Sequence, residues 1–285
     1  MTSYLNFHIR SALPTDRDAV FEMVRTVWDG NDYVPEVWDE WLADASGPLL
    51  VGELAGRVVA LTKLSALSPG EDWFHGTRVD PGYRGRGFAK ALLRHCADLS
   101  RRRGARTLRY LTDEENTPMH RAGEAAGFRL AYTPAWQHAA LRPGESATVA
   151  LPPDRLTALL ADLAGSPLLG QTGGMYGYGW RSLDLNEARL AEHLRRGEVL
   201  GVPGLRAWAI VVPRDDGEGV WLAHVEGPGD ELEQLCAAIL MGRGSAEQGT
   251  ARSLLPPAAP WLPALRAAGF SEPEHPMRVY ELRLT

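Results

Sequence analysis

The stretch Val79-Asp80-Pro81-Gly82-Tyr83-Arg84-Gly85-Arg86-Gly87-Phe88-Ala89 sets arginines and glycines where a strand-like run passes into an amphipathic helix pattern. Such a junction suits an anion. The first-turn N–H groups of a helix have no internal partner, that end carries partial positive charge, and glycine lets a phosphate approach the backbone closely. Two common nucleotide loops are excluded: a Gly-x-Gly-x-x-Gly fingerprint would need glycine where Lys90 stands, and the Gly-Lys-Ser or Gly-Lys-Thr ending of a triphosphate loop is absent. Upstream, Glu71, Trp73, His75, Thr77 and Val79 share strand parity and are expected to face one way, whereas a bulge would bring Asp72 or Phe74 inward instead. His75 is the candidate proton acceptor, because imidazole titrates near neutral pH. Asn116, ahead of Thr117-Pro118, stands where a helix N-cap is favoured.

The elements that position these residues are legible from periodicity. Strands are expected at Phe7–Leu13, Leu49–Leu54, Arg57–Leu64, Trp73–Val79, Thr107–Thr112 and Leu130–Leu141, with helices at Thr15–Trp28, Glu36–Asp44, Gly87–Arg103 and Thr117–Ala126. A second half follows, with helices at Asp154–Ala164, Leu185–Arg196 and Asp230–Met241 and strands at Ala207–Val212, Val220–Val225 and Arg278–Leu284. Leu13-Pro14-Thr15-Asp16-Arg17 is echoed by Leu151-Pro152-Pro153-Asp154-Arg155, and Ala125-Ala126-Gly127-Phe128 by Ala267-Ala268-Gly269-Phe270. The shared order and spacing imply a duplication, giving units 1–145 and 146–285. The fold class is α+β: a mixed, mainly antiparallel sheet with flanking helices, in two tandem domains.

Arg84, Gly87 and Ala89 fill the Arg/Gln-x-x-Gly-x-Gly/Ala pattern, and the segment resembles the pyrophosphate loop of the Gcn5-related N-acetyltransferase superfamily. The resemblance implies acetyl-coenzyme A as co-substrate, its pyrophosphate on the amides of Gly85, Arg86, Gly87, Phe88 and Ala89, its arm along the backbone of Val79, and Asn116 on the second cofactor-facing helix. It also implies transfer of an acetyl group to a primary amine of a small molecule or peptide, with a histidine near position 75 as base. One departure stands out: well-studied relatives carry a tyrosine seven residues after the asparagine, and here that position is Gly123. Tyr110, Tyr132 or solvent would then protonate the departing thiolate. Gly123 also leaves a rival reading, a weakly active or inactive coenzyme-A-binding regulatory protein.

Aligning Val225 with Val79 puts Asp230, Glu231 and Glu233 where Arg84, Gly85 and Gly87 stand. Carboxylates there repel an anionic ligand, so the second half is expected to be a degenerate copy that completes a substrate cleft or plays a structural role. Its Gly173-Gly174-Met175-Tyr176-Gly177-Tyr178-Gly179-Trp180 segment is read as an aromatic loop packed on the surface or closing over an acceptor. The formal net charge of −6 opposes broad attraction to nucleic acid, and Ser100-Arg101-Arg102-Arg103 reads as a solvated helix end. Two cysteines make no disulfide framework. No apolar run suggests a membrane span, no metal is expected, and the protein is read as cytoplasmic with its oligomeric state open.

Overall fold

The structure is a computed structural model describing residues 6–242, 249–258 and 260–284. Its elements run β1 (Phe7–Ser11), α1 (Arg17–Val24), α2 (Val34–Ala43), β2 (Leu49–Leu54), β3 (Arg57–Ser68), β4 (Glu71–Val79), α3 (Phe88–Arg102), β5 (Thr107–Asp113), α4 (Thr117–Ala125) and β6 (Arg129–Tyr132). There follow β7 (Ala135–Ala140), β8 (Val149–Ala150), α5 (Leu156–Ala164), α6 (Pro167–Thr172), β9 (Met175–Tyr178), β10 (Arg181–Asp184), α7 (Glu187–Arg195), β11 (Val199–Gly201) and β12 (Trp208–Pro213). The chain closes with β13 (Gly219–Glu226), α8 (Gly229–Leu240), β14 (Thr250–Leu255), α9 (Trp261–Ala268) and β15 (Met277–Arg283).

One sheet has the order β1-β2-β3-β4-β5-β15-β6 and another β7-β14-β13-β12-β11-β8, with β9 and β10 forming a separate hairpin. The expected strand Leu130–Leu141 is therefore two strands. Thr133-Pro134 separates them, and proline cannot donate to a ladder, so β6 joins the first sheet while β7 pairs with β14. The last strand, expected in the second half, lies in the first sheet, where Tyr280 stacks on Tyr110 at 5.1 Å. Arg109 donates to Glu281 at 2.7 Å and to Glu71 at 2.8 Å. Compact units are accordingly Met1–Leu130 with Tyr280–Thr285, and Ala131–Val279, a division that differs from the one at 145/146.

In the first unit the sheet carries a core on each face. Val20, Val34, Trp38, Trp41, Val51 and Leu61 pack with α1 and α2; Leu64, Phe74, Phe88, Leu92, Leu93 and Leu108 pack with α3 and α4. Phe88 anchors the first turn of α3, buried and stacked on Phe7 at 4.2 Å. Each such burial contributes about 1.5–3 kcal/mol, more than the roughly 0.5–1 kcal/mol that a flexible glycine costs. The glycine loop before α3 is thus held from its helical side. In the second unit α8 and α9 cover the core face formed by Ala209, Val211, Leu222, Ala251 and Leu255.

Candidate active site

β4 and β5 are parallel but paired only at Glu71↔Thr107, Asp72↔Leu108 and Trp73↔Arg109. Beyond those pairs the strands part, leaving the edge of β4 toward Val79 unpaired with β5. This opening leads to the loop before α3. There Asp80 accepts from Gly82 N at 2.8 Å and pairs with Arg57 at 3.1 Å, fixing the turn out of β4. Gly85 and Gly87 have φ of +75° and +84°, conformations that disfavour side chains, and a Cβ on either would meet nothing within 4 Å. Their role is therefore to turn the chain while leaving space in front of it.

Gly87 is the N-cap of α3, so no cap side chain accepts from the first-turn amides, and no acidic residue lies in that turn. Arg84 and Arg86 are exposed. Arg86 lies over the Tyr83 ring at 4.8 Å, and Arg84 Nε reaches toward Val79 O at 3.5 Å, the long limit of a hydrogen bond. The cradle thus joins open backbone, a helix dipole and two solvated cations, a combination that fits a pyrophosphate. The Phe88 ring is buried, and Ala89 is half-buried.

His75 lies elsewhere than parity alone implies. Between Leu61↔Arg78 and Lys63↔His75, β4 has one residue more than β3, a bulge at Gly76 and Thr77 with Gly76 at φ +65°. The bulge reverses the alternation. Phe74 and Val79 face the α3 core, whereas His75 lies edge-on to Trp41 of α2 at 5.1 Å. Trp41 also explains the glycine, because a Cβ at position 76 would stand 2.4 Å from its indole. Thr62 Oγ1 donates to His75 O at 3.0 Å and lies 2.9 Å from Thr77 Oγ1, tying the bulge to β3.

Around His75 is a polar group that the sequence reading missed. Ser65 Oγ lies 3.1 Å from His75 Nε2 and 3.4 Å from Asp44 Oδ2. Asp44 pairs with the fully buried Lys63 at 2.7 Å and accepts from Ser46 N and Oγ at 2.8 and 2.7 Å. Burial alone would raise the Asp44 pKa, but the donors Lys63 and Ser46 hold it down to about 2. Burial lowers the Lys63 pKa against the opposing pull of Asp44. Farther along β4, Arg78 pairs with Asp32 at 2.6 Å beneath the Tyr33 ring. A lysine at a core-facing position of an apolar strand was the available signal, and it points to a buried counter-ion.

Asn116 caps α4, accepting from Met119 N at 3.3 Å and donating to Thr112 Oγ1 at 2.9 Å. Gly123 has a packing reason: a Cβ there would lie 1.9 Å from Tyr110 Oη. Tyr110 is buried and donates to Met119 O at 3.3 Å, and its burial raises its pKa. Tyr132 belongs to the second unit and lies 3.0 Å from Ser182 Oγ.

In that second unit β13 and β14 are also parallel, paired from Gly219↔Thr250 to Leu222↔Ser253. Between Glu226 and Gly229 only two residues join strand to helix, leaving no room for a glycine cradle. Asp230 and Glu231 occupy the first turn of α8, and Glu231 accepts from Ala207 N at 3.1 Å. The aromatic segment forms the β9–β10 hairpin, with Trp180 at φ +61° stacked on Trp136 at 4.9 Å.

Comparison with known proteins places the first unit. Residues 17–128 match the acetyltransferase (GNAT) family. That match spans less than half of the chain. The chain is similar to a histidine N-acetyltransferase of Oreochromis niloticus, 34% identical over 93 residues, covering 32% of this chain and 28% of that protein. It is also similar to a histidine N-acetyltransferase of Scomber australasicus, 33% identical over 89 residues, covering 31% and 26%. The alignments thus span less than a third of either relative. A solved GCN5-related N-acetyltransferase from Sphaerobacter thermophilus covers 98% of this chain and 96% of its own at TM-score 0.62 and 14% identity. That likeness extends the tandem GNAT-like α+β fold over both units. Among the described residues no helix is long and apolar enough to cross a membrane, and no group of three or more His, Cys, Asp or Glu side chains is arranged for a metal.

Proposed function

We propose that the first unit is an N-acyltransferase that moves an acetyl group from acetyl-coenzyme A to a primary amine of a small molecule or peptide. The observation that carries this reading is the parted β4–β5 edge leading to an open, uncapped and acid-free helix N-terminus at Gly87. Amides between Gly85 and Ala89 hold the pyrophosphate, Arg84 and Arg86 add attraction, and the backbone of β4 near Val79 orients the arm. Asn116 acts through its place as N-cap of α4, the second cofactor-facing helix. Acetyl-coenzyme A, when bound, supplies an activated acyl group whose transfer to an amine releases a thiol.

The remaining work is done by the chain's own groups. Orientation by fixed donors lowers the entropic barrier, and a base must take one proton from the attacking amine. His75 takes that proton. Tyr110 does not supply the leaving thiolate's proton, because its hydroxyl is buried against Met119 and Gly123; solvent does. The second unit, with acids in the first turn of α8 and no cradle, is a degenerate copy with a supporting role.

Free-thiol release from acetyl-coenzyme A with a panel of amines, L-histidine first because of the relatives' activity, tests the reading. Turnover with one acceptor is expected. Binding of acetyl-coenzyme A without turnover across the panel would favour a coenzyme-A-responsive regulatory role, for which Gly123 in place of tyrosine is the supporting observation. No binding would defeat both.

A further inference from the structure

The turn out of β4 sets a carboxylate beside the loop that takes the coenzyme's phosphates. Asp80 is the N-cap of the short turn Pro81–Tyr83, and its Oδ1 accepts from Gly82 N at 2.8 Å. Gly82 O in turn accepts from Arg86 Nη2 at 3.4 Å, and Arg84 Nε reaches back toward Val79 O at 3.5 Å. Asp80 is thus linked through Gly82 to Arg86 and through its neighbour Val79 to Arg84. The structural use of the acid is its acceptor oxygen, which an aspartate in such a turn shares with asparagine. Its charge, left alone, works against an anion site, because like charges at short range repel.

Among the described residues the cation that pairs with Asp80 is Arg57, at the start of β3, 3.1 Å from Oδ2. The Arg57 guanidinium also lies over the Tyr83 ring, 5.5 Å from its centroid, and Arg86 lies over the same ring at 4.8 Å. One tyrosine therefore keeps Arg57 beside the acid and Arg86 beside the glycines. Arg57 is largely exposed, and an exposed pair of this kind adds little to folding. What it adds is charge balance. We propose that Arg57 is a positioning residue for the coenzyme site: held by Tyr83, it cancels the charge of Asp80, so that the acid closes the turn without repelling the phosphates. This rests on the reading that the amides from Gly85 to Ala89 hold the pyrophosphate. Arg84 and Arg86, whose own contacts are to carbonyls and the Tyr83 ring, then act on the ligand undiminished.

The test is calorimetric titration of acetyl-coenzyme A into wild type, Arg57→Gln, Asp80→Asn and the double variant, at low and high salt. Arg57→Gln uncovers the acid, so its affinity should fall by about three- to tenfold at low salt, and added salt should close the gap. Asp80→Asn keeps an acceptor for Gly82 N and removes the charge, so it should bind at least as tightly as wild type. In the double variant the charges balance again, and affinity should return to within about twofold of wild type. A purely structural role of the pair predicts the reverse, with both losses adding and salt making no difference. Wild-type affinity in Arg57→Gln at low salt, or a loss that persists in the double variant, would overturn the proposal. Asp80→Asn decides the matter without Arg57→Gln, because weaker binding by it at low salt is also a refutation. A wild-type protein that binds no acetyl-coenzyme A defeats the underlying reading instead, and is told apart from failure of the proposal by the wild-type titration alone.

Discussion

Replacing Gly87 by glutamate sets a carboxylate at the N-terminus of α3, at a position whose Cβ meets no atom within 4 Å. The folding cost is dominated by the left-handed backbone at φ +84°, about 1–2 kcal/mol for a side-chain-bearing residue. A negative charge at a helix start returns about 0.3–1 kcal/mol. The net is on the order of 1 kcal/mol, small beside a typical domain stability of roughly 5–15 kcal/mol, so the variant folds. Against a bound phosphate the same charge is repulsive. At about 5 Å the cost per charge pair runs from about 1 kcal/mol at water's dielectric to about 3 kcal/mol at an effective value of 20, a weakening of about 5- to 150-fold. Gly87→Ala carries the backbone strain without the charge and is the control. Calorimetric titration with acetyl-coenzyme A at low and high salt, beside urea unfolding of both variants, separates the terms. Glutamate should weaken binding well beyond alanine, and added salt should narrow the gap. Equal affinity of Gly87→Glu and wild type would refute this placement of the phosphates.

Other outcomes follow from the same contacts. Mutating His75 to Ala should remove the acid limb of the pH–rate profile, measured as kcat/KM for the amine between pH 5 and 9. Asp44, whose pKa falls from 3.8 to about 2 on folding, contributes stability that is present above about pH 4 and lost as pH drops toward 2. Urea unfolding of wild type and Asp44→Asn should therefore differ by a few kcal/mol at pH 7, because Lys63 loses its counter-ion, and the two curves should converge at pH 2. Gly123→Ala should destabilise by about 1–3 kcal/mol through its clash with Tyr110. Tyr110→Phe in the same chain should recover part of that loss, as a double-mutant cycle by thermal unfolding would show.

The glycine turn between β4 and α3 was legible because its requirements are local. A strand end, glycines suited to left-handed turns and an amphipathic helix beginning at Phe88 are all written within eleven residues. His75 shows where locality fails. Alternation predicts one face for His75 and Val79, but the extra residue at Gly76 and Thr77 reverses it, and the glycine there is required by Trp41, distant in sequence, which packs against it. The exchange of β7 and β15 between sheets was equally invisible. An alternating strand shows that it has a buried face, but not which sheet buries it, and only the partners Tyr110 and Arg109 reveal the place of Tyr280 and Glu281. Asp44 looks like an ordinary polar residue until Lys63 is seen to be buried and paired with it.

The central claim, that the first unit and not the second holds acetyl-coenzyme A at a helix N-terminus, is tested most directly by amide NMR during titration with acetyl-coenzyme A. The account predicts saturable shifts centred on Gly85, Arg86, Gly87, Phe88 and Ala89 and extending along β4 toward Val79, with the amides of Asp230 to Glu233 unaffected. Saturation accompanied by shifts at Asp230 to Glu233 and none at Gly85 to Ala89 would contradict it.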